Sequence, residues 1–356
     1  MTRVAVIGTQ GVPAKYGGFE SLVENLIGEN CPTDVEYTVF CSGVDMHDRL
    51  SEYKGANLKY VPLKANGIQS VPYDIISMCR CLNGYDAILV LGVSGGLFLP
   101  IIRLFTSKKL IINIDGMEYK REKWGRFAKK ILKISEALAV KYADVIITDN
   151  KAIQDYVAEE YGKKSNLIAY GGDHVLRNLP VGFVDDILDK YKLKKGDYAI
   201  ALCRIEPENN SEMVLEAFSR SDKTLVYIGN WNHNAYSRQL RDKYSSFHNI
   251  KMLDAIYDLD VLYALRSHAG LYVHGHSAGG TNPSLVEAMF FGIPIASLDV
   301  VFNRATTSDR AYYFNDTDGL LSIIGRSDLN GNPMKEVAES NYTWKSISAQ
   351  YVALYR

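Results

Sequence analysis

The stretch HSAGGTNPSLVEAMFFGIP, His276 to Pro294, packs a pair of adjacent glycines, a Thr-Asn-Pro turn, one acid and an apolar helical run into a short span. Asn282 is a good helix N-cap and Pro283 a good first-turn residue, while Gly292 and Pro294 stop the helix ahead of the apolar run PIASLDV. The spacing therefore predicts a strand-to-helix turn at GGTNP. First-turn amides lack intrahelical partners and the helix dipole makes that end positive, which suits a phosphate. Gly279 and Gly280 let the backbone approach an anion closely, and Thr281 can donate a hydroxyl. Glu287 lies just over one turn further on. A carboxylate there repels phosphate but can accept hydrogen bonds from ribose hydroxyls beside it. A capped helix with its acid in solvent is the plainer alternative.

Two more stretches carry related chemistry. In ALCRIEPENNSEMVLEAF, Arg204 closes an apolar run and a loop leads into a helix; a strand-terminal Arg can clamp a phosphate with two parallel bonds. Pairing of Arg204 with Glu206 or Glu208 is the alternative. In GTQGVPAKYGGFESLVENL, Gly8, Gly11, Gly17 and Gly18 line a long loop before a helix starting near Phe19. The GxGxxG spacing is absent, so no dinucleotide fingerprint is read. The loop, with Lys15 and Tyr16, can seat an acceptor or touch donor phosphates, and Tyr16 and Phe19 can stack on a sugar; a flexible connection is the plainer reading. His274 and His276 alternate along a strand exit, but a metal would need further ligands that the pattern does not supply.

The elements that must position these residues follow from apolar patterning. Short β-branched runs such as RVAVIG, DAILVLGV and KLIINID alternate with amphipathic helical stretches, and the pattern recurs after a polar segment, LDKYKLKKGDY. Such alternation predicts parallel sheets covered on both faces. The expected fold is α/β, two doubly wound Rossmann-like domains facing across a cleft, with ligands beyond the carboxyl ends of the strands. The expected domains are 1–180 on the acceptor side and 190–335 on the nucleotide-sugar side, with a linker near 175–196. A terminal helix over 336–356, with Trp344, Ile347, Tyr351 and Leu354 at helical spacing, is expected to pack back on the first domain.

A length of 356 residues suits two domains. The net charge of −1 argues against a general nucleic-acid binder, and five cysteines without a CxxC pair suggest neither a zinc ribbon nor a disulfide framework. No apolar run reaches the roughly 18 residues that span a bilayer and the amino-terminal residues do not read as a leader, so a cytoplasmic setting is expected. One segment nonetheless points to a membrane surface. KREKWGRFAKKILK, Lys120 to Lys133, holds seven cationic residues and one acid alongside Trp124 and Phe127. Lys120, Arg121, Lys123, Trp124, Arg126, Lys129 and Lys130 read as a basic amphipathic face for anionic lipid, with an ordinary solvated face as the alternative.

Taken together, GTQGVPAKYGGFE, RIEPENN, HGHSAGGTNPSLVEAM and YTWKSISAQYVALY resemble the retaining GT-B glycosyltransferases of the large mannosyltransferase- and sucrose-synthase-like family, closest to the bacterial rhamnosyltransferase branch. The resemblance extends over nearly the whole chain. It implies a metal-independent transfer from a nucleotide-diphosphate sugar with retained anomeric configuration and no cofactor beyond that donor. Glu287 would hold the ribose, Arg204 the diphosphate, and Gly279, Gly280, Thr281 and Asn282 the diphosphate and sugar. Asn209, His276, Ser284 and Leu285 complete the expected donor side. Asp115, ending KLIINID before a glycine, and Glu118 are the candidate catalytic carboxylates, each able to orient the acceptor or act as base, or else to cap a helix. Asp173 is a further candidate.

Two departures matter: the family carries an acid where Gly279 stands, and a lysine near Asn209. Losing the acid that touches donor-sugar hydroxyls is compatible with a 6-deoxy sugar. The expected reaction moves L-rhamnose from dTDP-L-rhamnose to a lipid-linked, undecaprenyl-diphosphate saccharide in capsule, O-antigen or cell-wall synthesis, at the inner face of the plasma membrane. The rivals are a UDP-hexose or GDP-sugar donor, an epimerase on the same fold, and a nucleotide-sugar-binding partner without turnover.

Overall fold

The computed structural model describes residues 1–14, 17–28, 34–114, 116, 119 and 125–356. Two compact units divide the chain, one of residues 1–170 with 344–356, the other of residues 171–343.

The first unit opens with β1 (Thr2–Ile7), α1 (Gly18–Leu26), β2 (Val35–Ser42), β3 (Glu52–Tyr53), β4 (Ala56–Val61) and α2 (Ser70–Arg80). It continues through β5 (Ala87–Leu91), α3 (Leu99–Phe105), β6 (Lys109–Ile114), α4 (Arg126–Tyr142), β7 (Val145–Thr148), α5 (Lys151–Tyr161) and β8 (Asn166–Leu167). The strand order is β3-β4-β2-β1-β5-β6-β7-β8, parallel except for the β3–β4 pair. β5, AILVL, is buried along its whole length, as parallel strands covered on both faces require.

The second unit runs α6 (Phe183–Lys190), β9 (Tyr198–Leu202), α7 (Ser211–Ser219), β10 (Thr224–Ile228), α8 (Ala235–Tyr244), β11 (Ile250–Leu253) and α9 (Leu259–Ser267). β12 (Leu271–His274), α10 (Pro283–Met289), β13 (Ile295–Leu298), α11 (Val301–Thr307), β14 (Tyr312–Phe314), α12 (Thr317–Ile324) and α13 (Asn332–Asn341) follow. Its sheet is wholly parallel in the order β11-β10-β9-β12-β13-β14. Strand order reverses between β1 and β5 in the first sheet and between β9 and β12 in the second. Loops leaving the carboxyl ends of those strands border the crevice that a doubly wound sheet offers a ligand.

The unit boundaries differ from the expected 1–180, 190–335 and 336–356. Gly172 N donates to Tyr342 O at 2.9 Å, which ties the segment after β8 to the end of α13. The expected linker at 175–196 contains α6, whose Ile187 and Leu188 are buried. Residues 336–341 complete α13 in the second unit, so only α14 (Trp344–Tyr355) returns to the first. There Trp344, Ile347, Tyr351, Val352 and Tyr355 join the core built on β1, β2 and α1. Tyr351 accepts from Asn113 Nδ2 at 2.7 Å, and Tyr37 donates to the Tyr355 hydroxyl at 3.2 Å.

Candidate functional site

At the switch point of the second sheet the loops leaving β9 and β12 lock together. Ser277 donates to Glu208 O through its amide (3.0 Å) and hydroxyl (2.8 Å), and Asn210 Nδ2 donates to Gly275 O at 2.8 Å. Gly275 is obligatory: a Cβ there would stand 2.5 Å from Asn209 O. Asn303 of α11 steadies the other side, donating to His276 O and Leu298 O at 3.0 Å each. Two stretches far apart in sequence, RIEPENN and HGHSAGGTNP, therefore form one surface. Asn209 is buried and its side chain donates to Arg204 O at 2.7 Å, so it shapes this loop from within. Glu206 accepts from Asn234 Nδ2 at 3.2 Å. Arg204 is exposed, two residues beyond the end of β9.

Asn282 caps α10, with its Oδ1 accepting from Ser284 N (3.1 Å) and Ser284 Oγ (2.8 Å). Leu285 N donates to Asn282 O at 3.1 Å, and the Leu285 side chain lies in the core. The amides of Ser284 and Leu285, expected to face a donor, are thus engaged by the cap. Tyr272 donates to Ser284 Oγ at 3.2 Å, and Thr281 is buried. Gly279 adopts φ +117° with nothing within 4 Å of where a Cβ would be. The positive φ, rather than lack of space, is what a side chain at this position would meet.

Glu287 is not in solvent. Arg266 of α9, with its side chain 3% exposed, donates through Nη1 to Glu287 Oε2 at 2.6 Å and through Nη2 to Ser284 O at 3.1 Å. On the other side His174 Nε2 lies 3.5 Å from Glu287 Oε1. Burial alone would raise the Glu287 carboxyl, but the Arg266 charge and the His174 contact outweigh it and hold the pKa at about 2. Sequence reasoning missed both partners. The signal for Arg266 was a cation closing the apolar helical run VLYAL, where a buried charge calls for an opposite one. His174 follows Asp173 in a 3-10 turn (Asp173–Val175) of the second unit.

His274 and His276 stack, with ring centroids 4.3 Å apart and planes within 9°. Both nitrogens of His274 and Nδ1 of His276 are buried without a hydrogen-bond partner among the described residues. Burial and the other ring push His274 well below the usual imidazole range. Burial and the nearby Arg204 charge push His276 down to about 3. Both rings are therefore neutral at physiological pH. No cluster of three metal-ligating side chains occurs among the described residues.

In the first unit the described part of the glycine loop is pinned. Thr9 Oγ1 and Gln10 N donate to Glu20 Oε1 at 2.9 and 2.7 Å, and Ala14 N donates to Glu24 Oε2 at 2.9 Å. Tyr73 donates to Thr9 O at 2.8 Å. Gly17 caps α1, Gly18 begins it, and Phe19, partly buried, packs against the core. Beside this switch point, buried Asp74 accepts from Ser94 in the β5 exit loop. Burial raises its pKa to about 7 against the lowering by Ser94 and the Gly95 amide. Lys15, Tyr16, Asp115, Glu118, Lys120, Arg121, Lys123 and Trp124 lie outside the described residues.

Of the basic segment, Arg126 and Lys130 are exposed and Lys129 partly so, while Phe127 is 78% exposed. Lys133 departs from that face: its Nζ sits 4.8–4.9 Å from the ring centroids of Tyr119, Tyr156 and Tyr161 and 2.9 Å from Glu160. Alongside, α3 is joined to α4 by Arg103 Nε to Tyr142 O (3.0 Å), with Leu97 N to Ser135 Oγ (3.2 Å) just before it. Leu97, Ile101, Leu104 and Phe105 recur at helical spacing and are all exposed, Leu104 by 80% and Phe105 by 69%.

Comparison with known proteins bears on the fold. Residues 1–173 match a domain of unknown function (DUF1972), and residues 184–317 match the glycosyl transferases group 1. No curated protein matches the chain by sequence. Sucrose-phosphate synthase from Thermosynechococcus elongatus superimposes with a TM-score of 0.82 at 16% identity, covering 100% of this chain and 98% of that one. Anabaena Alr3699/HepE in complex with UDP-glucose gives 0.76 at 12% identity over 99% of each chain. The catalytic domain of Starch Synthase IV from Arabidopsis thaliana, bound to ADP and acarbose, gives 0.75 at 11% identity over 99% of this chain and 98% of that one. These likenesses establish the fold. The chain thus carries two parallel-sheet units on the GT-B fold, and its residues 184–317 are similar to the glycosyl transferases group 1.

Proposed function

We propose that the chain is a retaining glycosyltransferase that takes L-rhamnose from dTDP-L-rhamnose and transfers it to a lipid-linked saccharide. The observation that carries the donor side is Glu287: an ionised carboxylate fixed by Arg266, on the helix that follows the glycine turn at the switch point. The carboxylate accepts from the donor's ribose ring. Arg204 and the Gly279–Thr281 turn stand against the diphosphate and stabilise the charge that grows as the bond from the sugar to phosphate breaks. The acceptor hydroxyl oxygen forms the new bond on the same face, and its proton passes to the departing phosphate oxygen. The neutral pair His274–His276 adds no competing cation beside Arg204. Asp115 or Glu118 orients the acceptor. Gly279, in a conformation that disfavours an acid, offers fewer polar partners to the sugar, which suits a 6-deoxy hexose.

The membrane side of the proposal rests on α3 and α4. Arg126, Lys129 and Lys130 attract anionic lipid, and the exposed Leu104, Phe105 and Phe127 enter its interface. No helix among the described residues is long and apolar enough to cross a membrane. The chain would then work as a peripheral protein on an undecaprenyl-diphosphate saccharide.

A UDP-hexose donor is the second reading, favoured by the fold likeness to the Anabaena protein seen with UDP-glucose. Turnover across a panel of nucleotide sugars, with and without a lipid-linked GlcNAc or glucose acceptor, separates the two. Nucleotide release from dTDP-rhamnose, increased by acceptor and reduced at least about 100-fold by Glu287→Ala or Arg204→Ala, is the expected result. Turnover of a UDP-sugar alone would discard rhamnose, and binding of donors without any turnover would discard the enzyme.

A further inference from the structure

A carboxylate with both oxygens turned outward can take the 2′ and 3′ hydroxyls of a ribose, one on each. Glu287 is not built that way. Its Oε2 is turned to Arg266, which is 3% exposed and fixed on several sides: Nη1 to Oε2 at 2.6 Å, Nη2 to Ser284 O at 3.1 Å, and the guanidinium over the Phe291 ring at 5.2 Å. Arg266 Nε is buried with no partner among the described residues, so this cation depends on Oε2 for its compensating charge. Rotating Oε2 outward would leave it buried and unpaired, a heavy cost. The other oxygen, Oε1, is turned toward His174, whose side chain is 27% exposed and marks the open side.

We propose that Arg266 is a positioning residue that withdraws Oε2 and leaves Oε1 as the one oxygen offered to the donor, which reaches only the 3′ hydroxyl. The site then accepts 2′-deoxyribonucleoside diphosphates as readily as ribonucleoside diphosphates. This rests on the reading that Glu287 faces the donor's ribose, and it goes beyond it by giving Arg266 control over which carboxylate oxygen meets the sugar and hence over discrimination at the 2′ position. It also removes the objection that a deoxythymidine donor lacks a hydroxyl the site needs.

The test compares UDP with dUDP, which share a base and differ only at the 2′ position, by calorimetry on the full chain. Their Kd values are expected to agree within about threefold, and Glu287→Gln is expected to weaken both by about tenfold. In Arg266→Met both carboxylate oxygens become free, and UDP should gain over dUDP by about tenfold. A ratio of two affinities is blind to a loss of folded protein, so a merely structural arginine would leave it unmoved. If Arg266→Met does not fold, the native ratio and Glu287→Gln still decide. A native preference for UDP of tenfold or more would overturn the inference while leaving Glu287 at the ribose. Unchanged binding of both nucleotides in Glu287→Gln, or no binding of either by the native chain, would overturn the donor reading and the inference with it.

Discussion

Asp74 is buried and Glu287 mostly so, yet the two carboxylates are held in opposite directions because their partners differ in charge. Glu287 faces a guanidinium and drops to about 2, whereas Asp74 meets the Ser94 hydroxyl and the Gly95 amide, both uncharged, and rises to about 7. The signs of the linked stability differ accordingly. Glu287 contributes stability above its ordinary pKa of 4.5, and this is lost as pH falls toward 2. Asp74 is the reverse: its folded pKa lies above the ordinary 3.8, so the protonated group favours folding at low pH, and that contribution disappears as pH rises through 7. Asp74→Asn should therefore unfold at a higher temperature than the native chain at pH 8 and lose that advantage near pH 4. Thermal unfolding at the two pH values checks this; an equal shift at both would mean that burial is not what perturbs the carboxyl.

Helix α3 shows how an element can carry a role that no single residue does. It is only seven residues long, yet with the turn before it leaves Leu97, Ile101, Leu104 and Phe105 uncovered on one face. Apolar side chains inserted at an interface add to the attraction that lysines and arginines feel for anionic lipid. The pair Leu104→Ser and Phe105→Ser should cut pelleting with phosphatidylglycerol vesicles by about tenfold while leaving UDP affinity unchanged, because α3 and the donor residues belong to different units. Native pelleting that persists in the double variant would remove α3 from the membrane proposal.

Across the whole molecule, the chain leaves the first unit at Tyr170 and returns to it at Trp344. The returning helix α14 completes a core rather than decorating it, since Tyr351 is fully buried and bonded to Asn113 on β6. Removing such an aromatic side chain costs about 3–5 kcal/mol. Tyr351→Ala should therefore destabilise the unit of residues 1–170 by that amount in urea. Nucleotide binding by residues 171–343 should persist at denaturant concentrations where the first unit has melted. Simultaneous loss of both would show that the two units unfold as one.

Much of this architecture was legible in the linear chain because its signals are local. Alternating apolar runs and amphipathic helices specify parallel sheets, and the Asn-Pro start of α10 with the glycines before it marks a loop at a strand's carboxyl end. What stayed hidden depends on neighbours that the chain's own spacing does not reveal. Strand order brings the RIEPENN and HGHSAGGTNP loops together, folding pairs Arg266 with a glutamate twenty-one residues away, and α14 finds its core after a detour through the second unit. Hydrophobic and capping patterns say what each segment wants to bury or satisfy. Only packing in three dimensions chooses the partner, because several partners can satisfy the same local demand.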